Sequence, residues 1–66
     1  MRILLNGKPR DAVEGITIAT LLGELELTGR RLAVEVNEDV IPRSRHPEHP
    51  LRDGDRVEIV HAIGGG

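Results

Sequence analysis

Apolar and polar residues divide this chain into short extended runs around one helical stretch. Arg2-Ile3-Leu4-Leu5 reads as a first strand, and Asn6-Gly7 directly after it is a strong two-residue hairpin signal. Pro9 to Val13 is then the returning strand, with its proline near the start, where a missing N–H is tolerated. Thr17 is placed to cap a helix, because its hydroxyl accepts from the unpaired N–H groups of a first turn. Ile18, Leu21, Leu22 and Leu25 follow at i, i+3, i+4 and i+7, the apolar stripe of one amphipathic helix. Gly23 lies within that helix at a cost of about 1 kcal/mol relative to alanine, so packing must hold the stripe. Gly29 suits the helix exit, where left-handed backbone is common.

Further on, Leu32, Val34 and Val36 alternate with Ala33, Glu35 and Asn37, the pattern of a half-buried strand. Asn37-Glu38-Asp39 turns the chain into a short strand at Val40-Ile41. Three prolines between Pro42 and Pro50 exclude a regular helix or a central strand there. Asp53-Gly54-Asp55 is a turn, and Arg56 to Ile63 is the last strand. One helix covers one face of a four- to five-stranded sheet, which predicts a two-layer α+β domain over residues 1–63 with a glycine tail at 64–66.

Composition narrows the function. At 66 residues one small domain is expected, with a core that supplies roughly 3–5 kcal/mol net. The 38% apolar fraction contains no aromatic residue, which leaves too little material for both a core and an enclosed substrate cleft. A self-contained enzyme is therefore not expected. Nine basic against eleven acidic residues give a net charge of -2, without the basic surplus and stacking aromatics of a nucleic-acid binder. No apolar run is long enough to span a membrane, and the opening residues form no signal peptide, so the expectation is a cytoplasmic protein. There is no cysteine, hence no disulfide, thiolate ligand or nucleophilic thiol.

Several residues invite a chemical reading. His46 and His49 flank Pro47 and Glu48, and their types match metal ligands. No helix fixes their geometry, so a solvated loop is the preferred reading. Arg43, Arg45 and Arg52 make the same loop locally basic, as solvated surfaces often are. Glu35, Glu38, Asp39, Asp53, Asp55 and Glu58 are expected on the surface, some of them steering a basic partner. In the last strand, Val57, Ile59 and His61 share one parity, and Glu58, Val60 and Ala62 share the other. A single helix covers one face only, so Val60 and Ala62, rimmed by Glu58, are candidates for an apolar docking patch.

The most unusual feature is Ile63-Gly64-Gly65-Gly66. Such a run reads either as a frayed terminus or as a segment made to thread a narrow channel, where side chains would clash. The chain as a whole resembles the ThiS family, the sulfur carrier proteins of thiamine biosynthesis. The likeness is carried by Ile3-Leu4-Leu5-Asn6-Gly7, Thr17-Ile18 through Leu21-Leu22, Ala33-Val34-Glu35-Val36-Asn37, Val40-Ile41-Pro42-Arg43, Asp53-Gly54-Asp55 and Gly65-Gly66. The third glycine, Gly64, stands where some relatives have alanine.

The resemblance implies a β-grasp (ubiquitin-like) fold and a carrier role without catalysis of its own or a cofactor. It implies that an E1-like adenylating enzyme (ThiF-type) transfers AMP from ATP to the Gly66 carboxylate, reached through Gly64 and Gly65. An external persulfide sulfur donor then replaces AMP, and the resulting thiocarboxylate supplies a thiazole synthase (ThiG-type). With no cysteine and only Lys8 as a lysine, the chain has few groups able to intercept its own activated carbonyl. Two alternatives remain at this point: the small subunit of molybdopterin synthase, with the same carrier chemistry, and a non-carrier ubiquitin-like binding module.

Overall fold

The computed structural model describes residues 1–61. Strand β1 (Arg2–Leu5) turns through Asn6-Gly7 into β2 (Lys8–Asp11), and helix α1 (Ile18–Glu24) follows. Strands β3 (Leu32–Val36) and β4 (Asp39–Ile41) form a second hairpin. A 3₁₀ helix at Arg43–Glu48 leads to the last strand, β5 (Arg56–His61). The five strands make one mixed sheet in the order β2-β1-β5-β3-β4. β5 lies at its centre, parallel to β1 and antiparallel to β3. This is the expected α+β arrangement of one helix on a five-stranded sheet.

Both hairpins are built by their turn residues. Asn6 (φ 49°) and Gly7 (φ 83°), and likewise Asn37 (φ 52°) and Glu38 (φ 75°), are left-handed. Paired left-handed residues match the twist of two-residue hairpins, and asparagine and glycine adopt that geometry most readily. The returning strand is Lys8–Asp11, shorter than the expected 9–13. Ala12 still donates to the Met1 carbonyl at 2.8 Å, whereas Val13 leaves the sheet and is exposed. Pro9 is tolerated because β2 is an edge strand.

The helix begins as expected, with the Thr20 N–H donating to Thr17 Oγ1 at 3.2 Å. Its end differs from expectation. Leu25 is the C-cap and Glu26, not Gly29, takes the left-handed exit at φ 59°. The Leu27 N–H reaches back to the Leu22 carbonyl at 2.8 Å and the Glu26 N–H to the Gly23 carbonyl at 3.1 Å. These two bonds form a Schellman closure, which satisfies last-turn carbonyls and brings Leu27 against the core. Gly29 (φ 82°) sits in the next turn.

The core lies between α1 and one face of the sheet. Ile18, Leu21 and Leu22 from the helix meet Ile3, Val34, Val36, Val57 and Ile59 from the strands. Leu25 and Leu32 pack at its margin. Ile16 and Leu51 complete it from two loops that pair with each other. The Leu51 N–H donates to the Ile16 carbonyl at 2.8 Å, and the Ile18 N–H to the His49 carbonyl at 3.1 Å. A seven-residue helix is marginal alone; this lateral pairing and the buried stripe hold it.

The proline-rich segment is more ordered than a solvated loop. Pro47 lies inside the 3₁₀ helix, and His46 is only 5% exposed, with Nε2 3.0 Å from the Ile41 carbonyl oxygen. His46 therefore packs as an interior residue tied to β4, and His49 is half-buried.

Candidate functional site

The site follows from where β5 runs and what it leaves uncovered. On the helix side Val57 is fully buried and Ile59 nearly so. On the opposite face Glu58 is exposed and Val60 retains 49% of its surface. The parity read from the sequence holds for 57–60. His61, grouped with the buried residues by parity, is exposed because the strand has passed the end of the core there. Ala62, Gly64, Gly65 and Gly66, with the expected boundary after residue 63, lie outside the described residues.

The register shows what surrounds Val60. It pairs with Ala33 of β3, and Glu58 pairs with Glu35. Glu35 in turn faces Val40 of β4, which is 64% exposed, and Leu4 of β1 lies beside Arg56. The outer face thus combines a Val60–Ala33 pair and the outlying Val40 and Leu4 with two carboxylates at its centre. Among the described residues neither Glu35 nor Glu58 takes part in an ion pair; the pairs present are Arg2–Asp11 and Arg10–Glu24. Like charges directly across a ladder oppose folding.

Asp53 and Asp55 prove to be structural. Asp53 Oδ1 accepts from the Arg2 N–H at 2.7 Å. Asp55 accepts from the Arg52 N–H at 2.8 Å and from Asn37 Nδ2 at 3.0 Å. The Asp-Gly-Asp turn is therefore a polar knot that joins the start of β5 to β1 and to the β3–β4 turn. These two carboxylates are committed to backbone and amide donors, whereas Glu35 and Glu58 stand on the outer face, which also carries Arg56 beside Leu4.

Two of the hollows in the described surface are open clefts. One of about 180 Å³ lies between Leu22, Leu27, Leu32, His46 and Pro47, with Arg43 beside it. The other, about 310 Å³, is of mixed polarity and is flanked by Val36, Asn37, Asp39, Ile41, His49 and Asp55. No group of three or more histidine, cysteine or acidic residues is placed to hold a metal among the described residues. No helix among the described residues is long and apolar enough to cross a membrane. The structure brings Glu58 and Val60 together with Ala33, Glu35 and Val40, residues that sequence parity within single strands did not connect. Pairing of β5 with β3 was the missing information.

Comparison with known proteins agrees with this architecture. The ThiS family model matches residues 3–66. The sulfur carrier protein ThiS of Thermus thermophilus is 41% identical over 64 residues, covering 97% of this chain and 98% of its own. A thiazole synthase of Paramagnetospirillum magneticum is 41% identical over all 66 residues, and the chain spans only 20% of that protein's length. The crystal structure of the thiamine biosynthesis protein ThiS from Geobacter metallireducens superposes with a TM-score of 0.88 at 32% identity, each chain fully covered. That superposition makes the fold the β-grasp arrangement expected of the family. From the order of its strands to the reach of the match through the terminal glycines, the chain belongs to the ThiS family, the sulfur carriers of thiamine biosynthesis.

Proposed function

We propose that this chain is a protein cosubstrate whose Gly66 carboxylate carries sulfur. A carboxylate resists nucleophiles because its charge is delocalised and repels them. An E1-like adenylating partner joins it to the AMP moiety of ATP with release of pyrophosphate. The terminal sulfur of a donor persulfide then attacks the acyl carbon and AMP leaves. A thiol on the donor side cleaves the resulting acyl–S–S bond, becoming a disulfide and freeing the thiocarboxylate. That sulfur passes to a thiazole synthase. The observation that carries this reading is the family match, which extends to Gly66, on a fold whose central strand runs toward the glycines.

The parts have separate tasks in this scheme. Val60 and Ala62, rimmed by Glu58, dock the partner; Gly64 and Gly65 carry the carboxylate into its site. Five residues follow His61, a reach of at most about 18 Å when extended. Similarity to a stretch of a thiazole synthase supports that enzyme class as the sulfur acceptor, since joining two activities in one chain raises their effective concentration.

The test is intact-mass spectrometry after incubation with ATP, an E1-like enzyme and a persulfide donor. The expected result is exchange of one terminal oxygen for sulfur. Deleting Gly65-Gly66 should abolish the exchange while leaving the unfolding midpoint unchanged, because a terminal tail adds little to the core. Sulfur incorporation that survives the deletion would mean that the chemistry lies elsewhere.

A further inference from the structure

Both hairpin turns open on an asparagine, and both asparagines bond to β5. In a parallel ladder the partner strand alternately donates and accepts along one edge. Leu4 and Asn6 donate to the Asp55 and Val57 carbonyls, each at 2.9 Å. Regular continuation would have the Ile59 N–H donate to the backbone carbonyl of Asn6. Asn6 is left-handed, however, and there the chain leaves the ladder for β2. Its side-chain Oδ1 accepts from the Ile59 N–H instead, at 2.8 Å. Asn37 does the same on the other edge: its N–H donates to the Arg56 carbonyl at 2.8 Å, and its Oδ1 accepts from the Arg56 N–H at 3.0 Å.

The two clips differ in what lies next to them. Asn37 holds the start of β5, beside the polar knot of Asp53 and Asp55. Asn6 holds its last point supported from both edges. β1 ends at Leu5, so Val60 and His61 are laddered to β3 alone, opposite Ala33 and Leu32. We propose that Asn6 is a positioning residue for carrier chemistry: through Ile59 it fixes the direction in which β5 delivers the residues beyond His61 to a partner. A lost bond at this point leaves Glu58 and the β3 pairing in place but lets the end of β5, Val60 with it, shift. A displacement of about 1 Å at reacting atoms suffices to cost a large rate factor.

This inference rests on the carrier reading, and the experiment separates the two. Asn6→Gly keeps the left-handed turn and removes the acceptor; Asn6→Asp keeps both. Asn37→Gly removes the corresponding clip at the far end of β5. Amide exchange at Ile59 and steady-state adenylation by an E1-like enzyme are measured on the full chain. In Asn6→Gly the Ile59 amide should exchange about tenfold faster, as expected for loss of one hydrogen bond. Its kcat should fall about tenfold with at most a small rise in KM, since a slight shift of Val60 costs docking less than it costs the placing of the reacting atoms. Asn6→Asp should restore both, and Asn37→Gly should leave kcat at the wild-type value.

Unchanged Ile59 exchange in Asn6→Gly would overturn the clip, and faster exchange with wild-type kcat would overturn the positioning role. An equal loss of kcat in Asn37→Gly would mean general loosening and overturn it too. Wild-type protein that is never adenylated would sink the carrier reading and this role with it, whatever Ile59 shows.

Discussion

The two faces of the sheet follow different rules. On the inner face the three central strands bury Ile3, Val34, Val36, Val57 and Ile59, closed over by Ile18, Leu21 and Leu22, while the edge strand β2 sets Arg10 opposite Ile3. On the outer face Val60, Val40 and Leu4 keep substantial exposure, and Glu58 stands in register with Glu35. Burial explains each apolar choice on the first face. The Arg2–Asp11 pair on the second face is favourable, but stability explains neither the apolar surface left in water nor the like charges set opposite each other. The inner face makes the fold, and the outer face is where the proposed carrier role puts the docking of a partner.

The largest effect should come from breaking the inner face. Leu21 is fully buried beneath the sheet, so Leu21→Ala removes its transfer energy and leaves a cavity. The expected cost is about 2–5 kcal/mol, comparable to the whole stability of a domain this small. Urea denaturation should show most molecules unfolded before denaturant is added. A loss below about 1 kcal/mol would mean that the loops around Ile16 and Leu51 close the gap and that the core is less tightly coupled than this packing indicates.

An outer-face change should give the reverse profile. Val60→Asp places a charge at a half-exposed site, where substitutions span about 1 kcal/mol in folding. Its effect on binding to the adenylating partner should be larger, more than about fivefold in Kd, as for a central contact that becomes charged. Calorimetric titration beside a urea curve measures both. Equal affinity for the wild type and the variant would remove Val60 from the docking surface and leave the exposed valine unexplained.

Much of the inner face was legible in the sequence, because periodicity reports burial directly. The 18/21/22/25 stripe and the 32/34/36 alternation name most of the helix–sheet contact, and Asn6-Gly7 names a turn. The residues that escaped lack a periodic neighbour. Leu51 lies between Pro50 and Arg52, and only its pairing with Ile16 brings it into the core. His46 reads as part of a solvated loop because no helix signal surrounds it; a 3₁₀ turn and the Ile41 carbonyl draw it inside. Asp53 is exposed as expected, but nothing in one strand reveals that Arg2 is its partner or that Asn37 is the partner of Asp55. The outer face was half legible: parity found Glu58 and Val60, but register supplied Ala33 and Glu35.

The smallest effect is the sharpest for the comparison, because it should improve the fold while harming its use. Glu58 and Glu35 are paired across β5 and β3, and no described cation pairs with either. Two carboxylates about one ladder spacing apart repel by roughly 1 kcal/mol even in water-like surroundings. Glu58→Gln removes one charge and keeps the shape, so stability should rise by about 0.2–1 kcal/mol. The gain should shrink in high salt, where the wild-type repulsion is already screened. Adding Glu35→Gln should contribute little more, since the first substitution has already removed the shared term. Association with a cationic partner should slow at low salt over the same series, because steering depends on the charge that has been lost. Urea midpoints at two salt concentrations and stopped-flow association rates test both halves. A Glu58→Gln protein that is no more stable would mean that the carboxylates splay apart into solvent. A faster or unchanged association rate would mean that the acidic centre of this face faces no cations when the partner docks.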